Sequence, residues 1–194
     1  MKKLLDKVVV FLLCLLIPGL AWSETIPLKE KKVLVVYYSR TGHTQLVAEK
    51  LAKQFNADLE RIIDKKKRTG PIGFTAAGKD AVTSKTTVIN PLKVSLSDYD
   101  VILIGGPSWF GNVTPAVRTF IMQNDLSGKK IGLFGLCHLT GVEEAVQEAA
   151  DLISKGALKK FPTMPLREGE LAEDALLKKI DTFYTEVMGE TKKE

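Results

Sequence analysis

The sequence contains very little cysteine and histidine. Only two cysteines, Cys14 and Cys137, and two histidines occur among its 194 residues. Because Cys14 lies in an N-terminal segment that we expect to be removed, one thiol remains, and a single thiol forms no internal disulfide framework. The hydrophobic core must therefore hold the fold, and a chain of this length can bury enough surface to do so.

The sequence also lacks a strong excess of charge of either sign. Apolar residues make up 45% of the chain, and the formal net charge is +5. This composition excludes a disordered chain and a multi-pass membrane protein, and the length predicts one domain. The charge is too small to indicate nucleic-acid binding. The only dense basic run, Lys65–Arg68, is interpreted as a solvated loop, with a docking patch for an acidic partner or a membrane surface as the alternative.

Long hydrophobic runs are missing apart from one near the N-terminus. This run covers residues 8–20, and its length of about 13 residues falls short of the roughly 20 that a membrane-spanning helix needs. Three lysines precede it, and Ala21 and Ser23 occupy the −3 and −1 positions of a cleavage site before Glu24. The pattern predicts a secretory signal peptide over residues 1–23, with an uncleaved membrane anchor as the alternative.

We therefore expect an exported, periplasmic protein that keeps no membrane span after cleavage. Removal of residues 1–23 takes away three lysines and one aspartate, which lowers the formal charge from +5 to +3. The remaining chain is predicted to consist of a linker at 24–31, a folded domain at 32–189 and a charged tail at 190–194.

Behind the leader, short apolar runs alternate with amphipathic segments. The apolar runs predict strands at 33–38, 57–63, 100–105 and 130–135, with a further short strand at 158–161. The amphipathic segments predict helices at 44–55, from 115 onward, at 140–154 and at 171–188. Residues 64–97 are predicted to form a long connection with, at most, a short helix at 76–84. Strands that alternate with helices indicate a parallel sheet covered on both faces.

Polar residues mark the predicted beginnings of the helices. Thr44 is expected to cap the helix at 44–55. Thr114 followed by Pro115 is expected to open the next helix, because proline is well suited to the first helical position. Thr140 and Glu143 have the spacing of a capping box.

Three predicted strands end in unusual loops, and in an open α/β sheet ligands bind beyond the carboxyl ends of the strands. The first loop is Ser39-Arg40-Thr41-Gly42-His43-Thr44. Backbone N–H groups at a helix start, together with hydroxyls, can bind a phosphate without a lysine, and Gly42 lets the backbone approach closely. The spacing is not that of a Walker A loop, and an ordinary strand-to-helix turn remains the alternative.

The second loop, residues 106–112, places two adjacent aromatic residues between glycines. After Gly106 its sequence is Pro107-Ser108-Trp109-Phe110-Gly111-Asn112. Because loop side chains are usually exposed, a flat ring ligand that stacks on Trp109 or Phe110 would remove their apolar surface from water. The alternative is that both aromatic side chains pack into the core beneath the loop.

The third loop, residues 135–141, contains Cys137, His138, Thr140 and Gly141. Because His43 lies in the first loop, both histidines are predicted at the same edge of the sheet. A nucleophilic pair of Cys137 and His138 is one alternative, although sequence neighbours rarely point at each other productively. Two histidines and one cysteine without ligand spacing give little support for a metal site.

These loops make the chain resemble the short-chain form of the flavodoxin family of FMN-binding proteins, over residues 32–188. The first loop is similar to the Ser/Thr-x-Thr-Gly-x-Thr phosphate loop of that family. Residues 98–111, continued by 115–120, are similar to its second flavin loop. Residues 73–81 are similar to an insert found in many bacterial flavodoxin-like proteins.

The resemblance implies a doubly wound, three-layer α/β/α fold with a five-stranded parallel sheet in the order 2-1-3-4-5. It implies that FMN lies at the switch point between the first and third strands, with its phosphate in Ser39–Thr44. The isoalloxazine would lie against Pro107–Asn112, with Trp109 as the stacking ring, and Cys137–Gly141 would line the other edge.

The resemblance also implies a function, namely an exported electron carrier that exchanges electrons with a redox partner protein or a small-molecule acceptor. An NAD(P)H-dependent quinone or flavin reductase of the same fold is the first alternative, and a binding module that has lost its flavin is the second. We further hypothesise that positive charge from Arg40 or His138 stabilises the anionic reduced flavin in an apolar site.

Overall fold

The computed structural model describes residues 31–68, 70–157 and 159–189, including all of their side chains except those of residues 71, 72 and 74. The predicted signal peptide, the predicted linker up to residue 30 and the predicted tail at 190–194 lie outside the described residues. Within the described part of the chain, no helix is both long enough and apolar enough to cross a membrane.

The described residues form strands and helices that mostly alternate along the chain. The strands are β1 (Val33–Tyr37), β2 (Asp58–Arg61), β3 (Val101–Trp109), β4 (Asn112–Val113), β5 (Lys130–Cys137) and β6 (Thr163–Arg167). The α-helices are α1 (His43–Gln54), α2 (Gly70–Val82), α3 (Pro115–Gln123), α4 (Val142–Ser154) and α5 (Glu173–Met188). Short 3₁₀ helices lie at Leu96–Asp98 and Glu168–Glu170.

Five of the strands form a parallel sheet in the spatial order β2-β1-β3-β5-β6, and β4 pairs antiparallel with the end of β3. When the parallel strands alone are numbered, this order is the predicted 2-1-3-4-5. The predicted fold class is therefore confirmed.

The two faces of the sheet carry separate cores, which explains the continuous apolar run of β1. Leu34 and Val36 belong to the core that α3 and α4 cover, whereas Val33 and Val35 belong to the core that α1 and α5 cover. Alternate residues of a strand face opposite sides. A strand buried on both faces is therefore apolar throughout.

The long connection contains a full helix, α2, so the prediction of at most a short helix at 76–84 is wrong. Gly70 and Pro71 lie within the predicted connection, and both residue types usually interrupt helices. In the structure Gly70 has a left-handed φ of 75° and opens α2. Proline costs little in the first turn, where its missing N–H would have had no helical partner.

Two helix caps differ from the prediction, and in both cases a glycine stands where a side chain was expected to cap. Gly42 precedes α1 with φ 103°, so Thr44 lies inside the helix. Gly141 precedes α4 with φ 86°, and no side-chain capping bond forms, so the capping box of Thr140 and Glu143 is wrong. The beginning of α3 at Pro115 is confirmed.

The strand ends also differ from the prediction. β3 continues to Trp109 and turns back through Phe110 and Gly111 into β4 as a hairpin, so much of the predicted loop at 106–112 is strand. The last strand is Thr163–Arg167, not 158–161. Pro165 made this strand hard to predict, because proline is rare within strands. β6 is an edge strand, where a missing N–H can be tolerated.

Candidate functional site

A cleft of about 230 Å³ opens at the carboxyl ends of β1, β3 and β5, where the sequence analysis placed a ligand site. Of the predicted site residues, the following line it: Arg40, Thr41, His43, Thr44, Pro107, Ser108, Trp109, Phe110, Cys137 and His138. The predicted residues that do not line it are Ser39, Gly42, Gly111, Asn112, Thr140 and Gly141. The lining residues that the sequence analysis missed are Ala77, Gly78, Leu136 and Glu168.

The first loop forms a compact turn into α1. The backbone N–H of Gly42 donates to Ser39 Oγ at 3.1 Å, and the first helical bond runs from the N–H of Leu46 to the carbonyl of Gly42. The N–H groups of the preceding helical residues therefore have no acceptor within the helix. Apart from the two chain neighbours of Gly42, no atom of the described residues lies within 4 Å of a Cβ built on it, so a ligand can approach these N–H groups from that side. This donor set suits an anion at the start of α1.

Arg61 ties the first loop to the end of β2. Its Nη2 donates to the carbonyl of Ser39 at 2.9 Å. The Ser39 side chain is buried beneath the loop. Ser39 and Gly42 thus shape the turn, while Thr41 and Thr44 face the cleft.

Trp109 ends β3 and is half-buried among charged and aromatic neighbours. Its ring meets Tyr38 edge to face, with centroids 5.9 Å apart. The guanidinium carbons of Arg40 and Arg68 lie 5.7 and 5.8 Å from its ring centroid, within the range of cation–π attraction. Trp109 therefore joins the core on one side and the cleft on the other.

Phe110 is exposed and its backbone is strained. It is 69% exposed and has a left-handed φ of 53°, which is unusual for a bulky residue. A Cβ placed on Gly78 of α2 would come within 2.5 Å of Phe110 Cε2, so the ring rests on that glycine. The alternative that both aromatic residues pack into the core is wrong for Phe110. Strain of this kind clusters at ligand sites.

The second and third loops touch backbone to backbone. A Cβ on Gly141 would stand only 2.7 Å from the Cα of Gly111. Ser108 Oγ also donates to the carbonyl of Gly141 at 2.6 Å. These contacts fix the distance between the loops that form two walls of the cleft.

Glu168 bridges the two histidines of the chain at the cleft rim. His43 Nδ1 lies 3.0 Å from its Oε1, and His138 Nδ1 lies 2.7 Å from its Oε2. The hydrogen bonds from His138 and His43 hold the pKa of the Glu168 carboxyl below its ordinary value of 4.5. Glu168 directly follows β6, so the carboxyl-end rule would have found it had that strand been predicted correctly.

Cys137 is buried, and burial raises the pKa of its thiol, with the charge of Arg167 opposing the shift. A buried thiol with a raised pKa is a poor nucleophile at neutral pH. Among the described residues, no group of three or more His, Cys, Asp or Glu side chains could hold a metal ion.

Residues 32–186 match the model of a protein family described as Flavodoxin. A flavoprotein from Lactobacillus acidophilus NCFM, solved in complex with FMN, aligns over 73% of this chain and 96% of its own, with 20% identity and a TM-score of 0.59.

Two further solved structures have the same fold. Oxidised flavodoxin 2 from Bacillus cereus aligns over 82% of this chain and 99% of its own, with 18% identity and a TM-score of 0.56. A flavodoxin from the domain Archaea aligns over 81% of this chain and 97% of its own, with 16% identity and a TM-score of 0.52. Because the family match spans most of the sequence, this chain belongs to the flavodoxin family.

Proposed function

We propose that the protein binds FMN non-covalently in the cleft and transfers electrons through it. The observation that carries this proposal is that one cleft combines an anion-binding helix start with the rings of Trp109 and Phe110. The FMN complex of the Lactobacillus acidophilus flavoprotein, which shares the fold, supports it.

The donor set of the first loop fits the phosphate of FMN. The start of α1 offers N–H groups and the positive end of the helix dipole, and Thr41 and Thr44 add hydroxyls. Gly42 presents no side chain to block them. A dianionic phosphate therefore gains several charge-assisted hydrogen bonds without a lysine.

The apolar wall fits the ring system of the flavin. Phe110 offers an exposed ring supported by Gly78, and Trp109 stands next to it in the lining. Stacking on such rings buries apolar surface and excludes water from one face of the ligand. Bound flavin supplies the redox chemistry, and the protein sets its electrostatic environment.

Arg40 and His138 line the cleft and can offset negative charge that reduction places on the flavin. An apolar site alone would disfavour that charge. Glu168 holds the Nδ1 side of the His138 ring. We therefore expect the midpoint potential to become more negative in His138→Ala and in Arg40→Ala.

The experiment for this proposal is reconstitution with FMN, followed by redox titration. Protein that retains flavin absorbance after desalting, and that is reduced and reoxidised reversibly, supports it. A matched control is Lys155→Ala, which removes a charge at the C-terminal end of α4, the end away from the cleft. We expect this variant to keep the wild-type midpoint potential. Colourless protein after FMN addition would instead favour the flavin-less alternative, and sustained NADH or NADPH oxidation with a quinone would favour the reductase.

We also propose that the protein is exported, on the basis of the signal-peptide pattern at residues 1–23. The mass of the protein recovered from expressing cells tests this. A mass that begins at Glu24, in the periplasmic fraction, supports export. A full-length protein in the membrane fraction favours the uncleaved anchor, and a full-length protein in the soluble cytoplasmic fraction contradicts export.

A further inference from the structure

A second cleft, of about 210 Å³, shares Arg40 with the cleft in which we place FMN, which we call the flavin cleft. We call it the basic cleft, because among the described residues five cationic side chains line it, opposite one carboxylate, that of Asp64. The cationic side chains are those of Arg40, Arg61, Lys66, Lys67 and Arg68.

The single carboxylate of the basic cleft is already occupied. Asp64 accepts hydrogen bonds from Arg68 Nε at 2.5 Å, from Thr87 Oγ1 at 2.7 Å and from the backbone N–H of Lys66 at 2.9 Å. Its side chain is also buried. Asp64 therefore offers little repulsion to an incoming anion, while Arg61 and Lys67 remain exposed.

The guanidinium of Arg68 gives an independent reason to expect a ligand that accepts hydrogen bonds. The residue is 3% exposed, and its guanidinium also binds Asp80 through Nη1 at 2.9 Å. Its Nη2 is buried and has no hydrogen-bond partner among the described residues. A buried donor without an acceptor is costly. The earlier interpretation of Lys65–Arg68 as a solvated loop is therefore wrong for Arg68.

The shape and lining of the basic cleft indicate the class of ligand. Guanidinium and ammonium groups recognise phosphate oxygens, and a concave site of this volume suits a small molecule. Ile63 lines the same cleft and is 42% exposed, so it offers an apolar surface to the organic part of a phosphate ester.

We propose that the basic cleft binds the phosphate group of a small molecule other than FMN, held by Arg61 and Lys67 with Arg68 behind them. Lys66 lines the cleft as well, but its Nζ already donates to Asp80 at 2.6 Å. The phosphate is the shared chemistry, whether it is free or part of a phosphate ester. The site meets the first loop at Ser39 and Arg40, but Thr41 and Thr44, which we assign to the phosphate of FMN, do not line it, so both ligands bind at once.

The test is a titration of ¹⁵N-labelled, FMN-saturated protein, followed by the backbone amide signals. The probes are inorganic phosphate, adenosine monophosphate and adenosine. We expect phosphate and adenosine monophosphate to shift the amides of residues 61–68, and adenosine to shift none. Tighter binding of adenosine monophosphate indicates an ester ligand, and equal binding indicates free phosphate.

A matched pair of variants locates the site. Lys67→Ala removes a cation that lines the basic cleft, and Lys65→Ala removes an exposed neighbour with the same charge that does not line it. Loss of one exposed ionic contact weakens binding by up to about fivefold. We expect that loss in Lys67→Ala and unchanged affinity in Lys65→Ala.

The proposal is overturned if the amides of 61–68 do not respond to millimolar phosphate or adenosine monophosphate, or if both lysine variants bind alike. It is also overturned if phosphate displaces FMN, or if an acidic peptide shifts the same amides more strongly than adenosine monophosphate does. Should the protein take up no FMN, the same titration on the purified protein still separates residues 61–68 from residues 41–44, which do not line the basic cleft.

Discussion

Replacement of Gly141 by alanine is expected to disturb the flavin cleft where its second and third loops touch. Gly141 has φ 86°, and its added Cβ would lie 2.7 Å from the Cα and 2.9 Å from the N of Gly111. Both neighbours are backbone atoms, so no flexible side chain can move aside. The two loops must therefore separate, which also weakens the bond from Ser108 Oγ to the carbonyl of Gly141.

The stability that Gly141→Ala is expected to lose has two parts, which can be measured separately. An alanine in the left-handed region costs roughly 1–2 kcal/mol, and overpacking costs about 1–3 kcal/mol more. Gly156 provides a matched control, because its φ is 87° but no atom lies within 4 Å of its added Cβ. Gly156→Ala therefore incurs only the first part, and Gly141→Ala incurs both.

Urea unfolding and FMN titration of the two variants give the comparison. We expect Gly141→Ala to lose about 1–3 kcal/mol more stability than Gly156→Ala. FMN affinity falls in Gly141→Ala and stays at the wild-type value in Gly156→Ala. Equal stability and equal FMN affinity in the two variants would refute the close contact between the loops and its role in shaping the cleft.

Three further predictions concern single side chains. Phe110→Gly is expected to keep or raise stability, because Phe110 is 69% exposed and has a left-handed φ of 53°. The same change is expected to weaken FMN binding by about two- to tenfold, because the stacking contact is lost. Unchanged FMN affinity would contradict this. Glu168 has a pKa below 4.5 through its bonds to His138 and His43, so its contribution to stability is present above pH 4.5 and is lost as the pH falls below it. Melting temperatures measured from pH 6 downward should therefore fall less steeply in Glu168→Gln, and parallel curves would count against the bridge. Burial and the hydrogen bond to Asp58 raise the pKa of Tyr99 to about 12, so the stability that the neutral Tyr99 side chain contributes is lost between pH 10 and 12. A Tyr99→Phe variant that shows the same loss, or an ultraviolet titration in which every tyrosine is half-ionised near pH 10, would disprove it.

The central sheet could be predicted from the sequence because its strands are buried on both faces. β1, β3 and β5 lie side by side in parallel and are nearly continuous in apolar residues, so their positions and the edge where they end followed directly. The resemblance to flavodoxins supplied the strand order, and the fold agrees with it.

The walls of the cleft were harder to predict because they depend on contacts distant in sequence. Glycine is a poor helix former, yet Gly78 lies in α2 where the ring of Phe110 leaves no room for a side chain. Glu168 joins two histidines that lie 125 and 30 residues away. No local pattern encodes either contact.

The burial of Arg68 shows the same limit of local reasoning. A run of three lysines and an arginine has the composition of a solvated surface. Asp64 and Asp80, on either side of the run, bind the arginine and place it beneath the basic cleft. The pairing of charges across the fold, not the run itself, decides which cation is buried.

The most direct test of the account compares the binding of FMN with that of riboflavin, which lacks the phosphate, by calorimetry on the same protein. If the start of α1 holds the phosphate, several charge-assisted hydrogen bonds are lost with riboflavin. We therefore predict that FMN binds at one site and at least about a hundredfold more tightly. Equal affinity for the two ligands, or no heat of binding with FMN, would contradict the account.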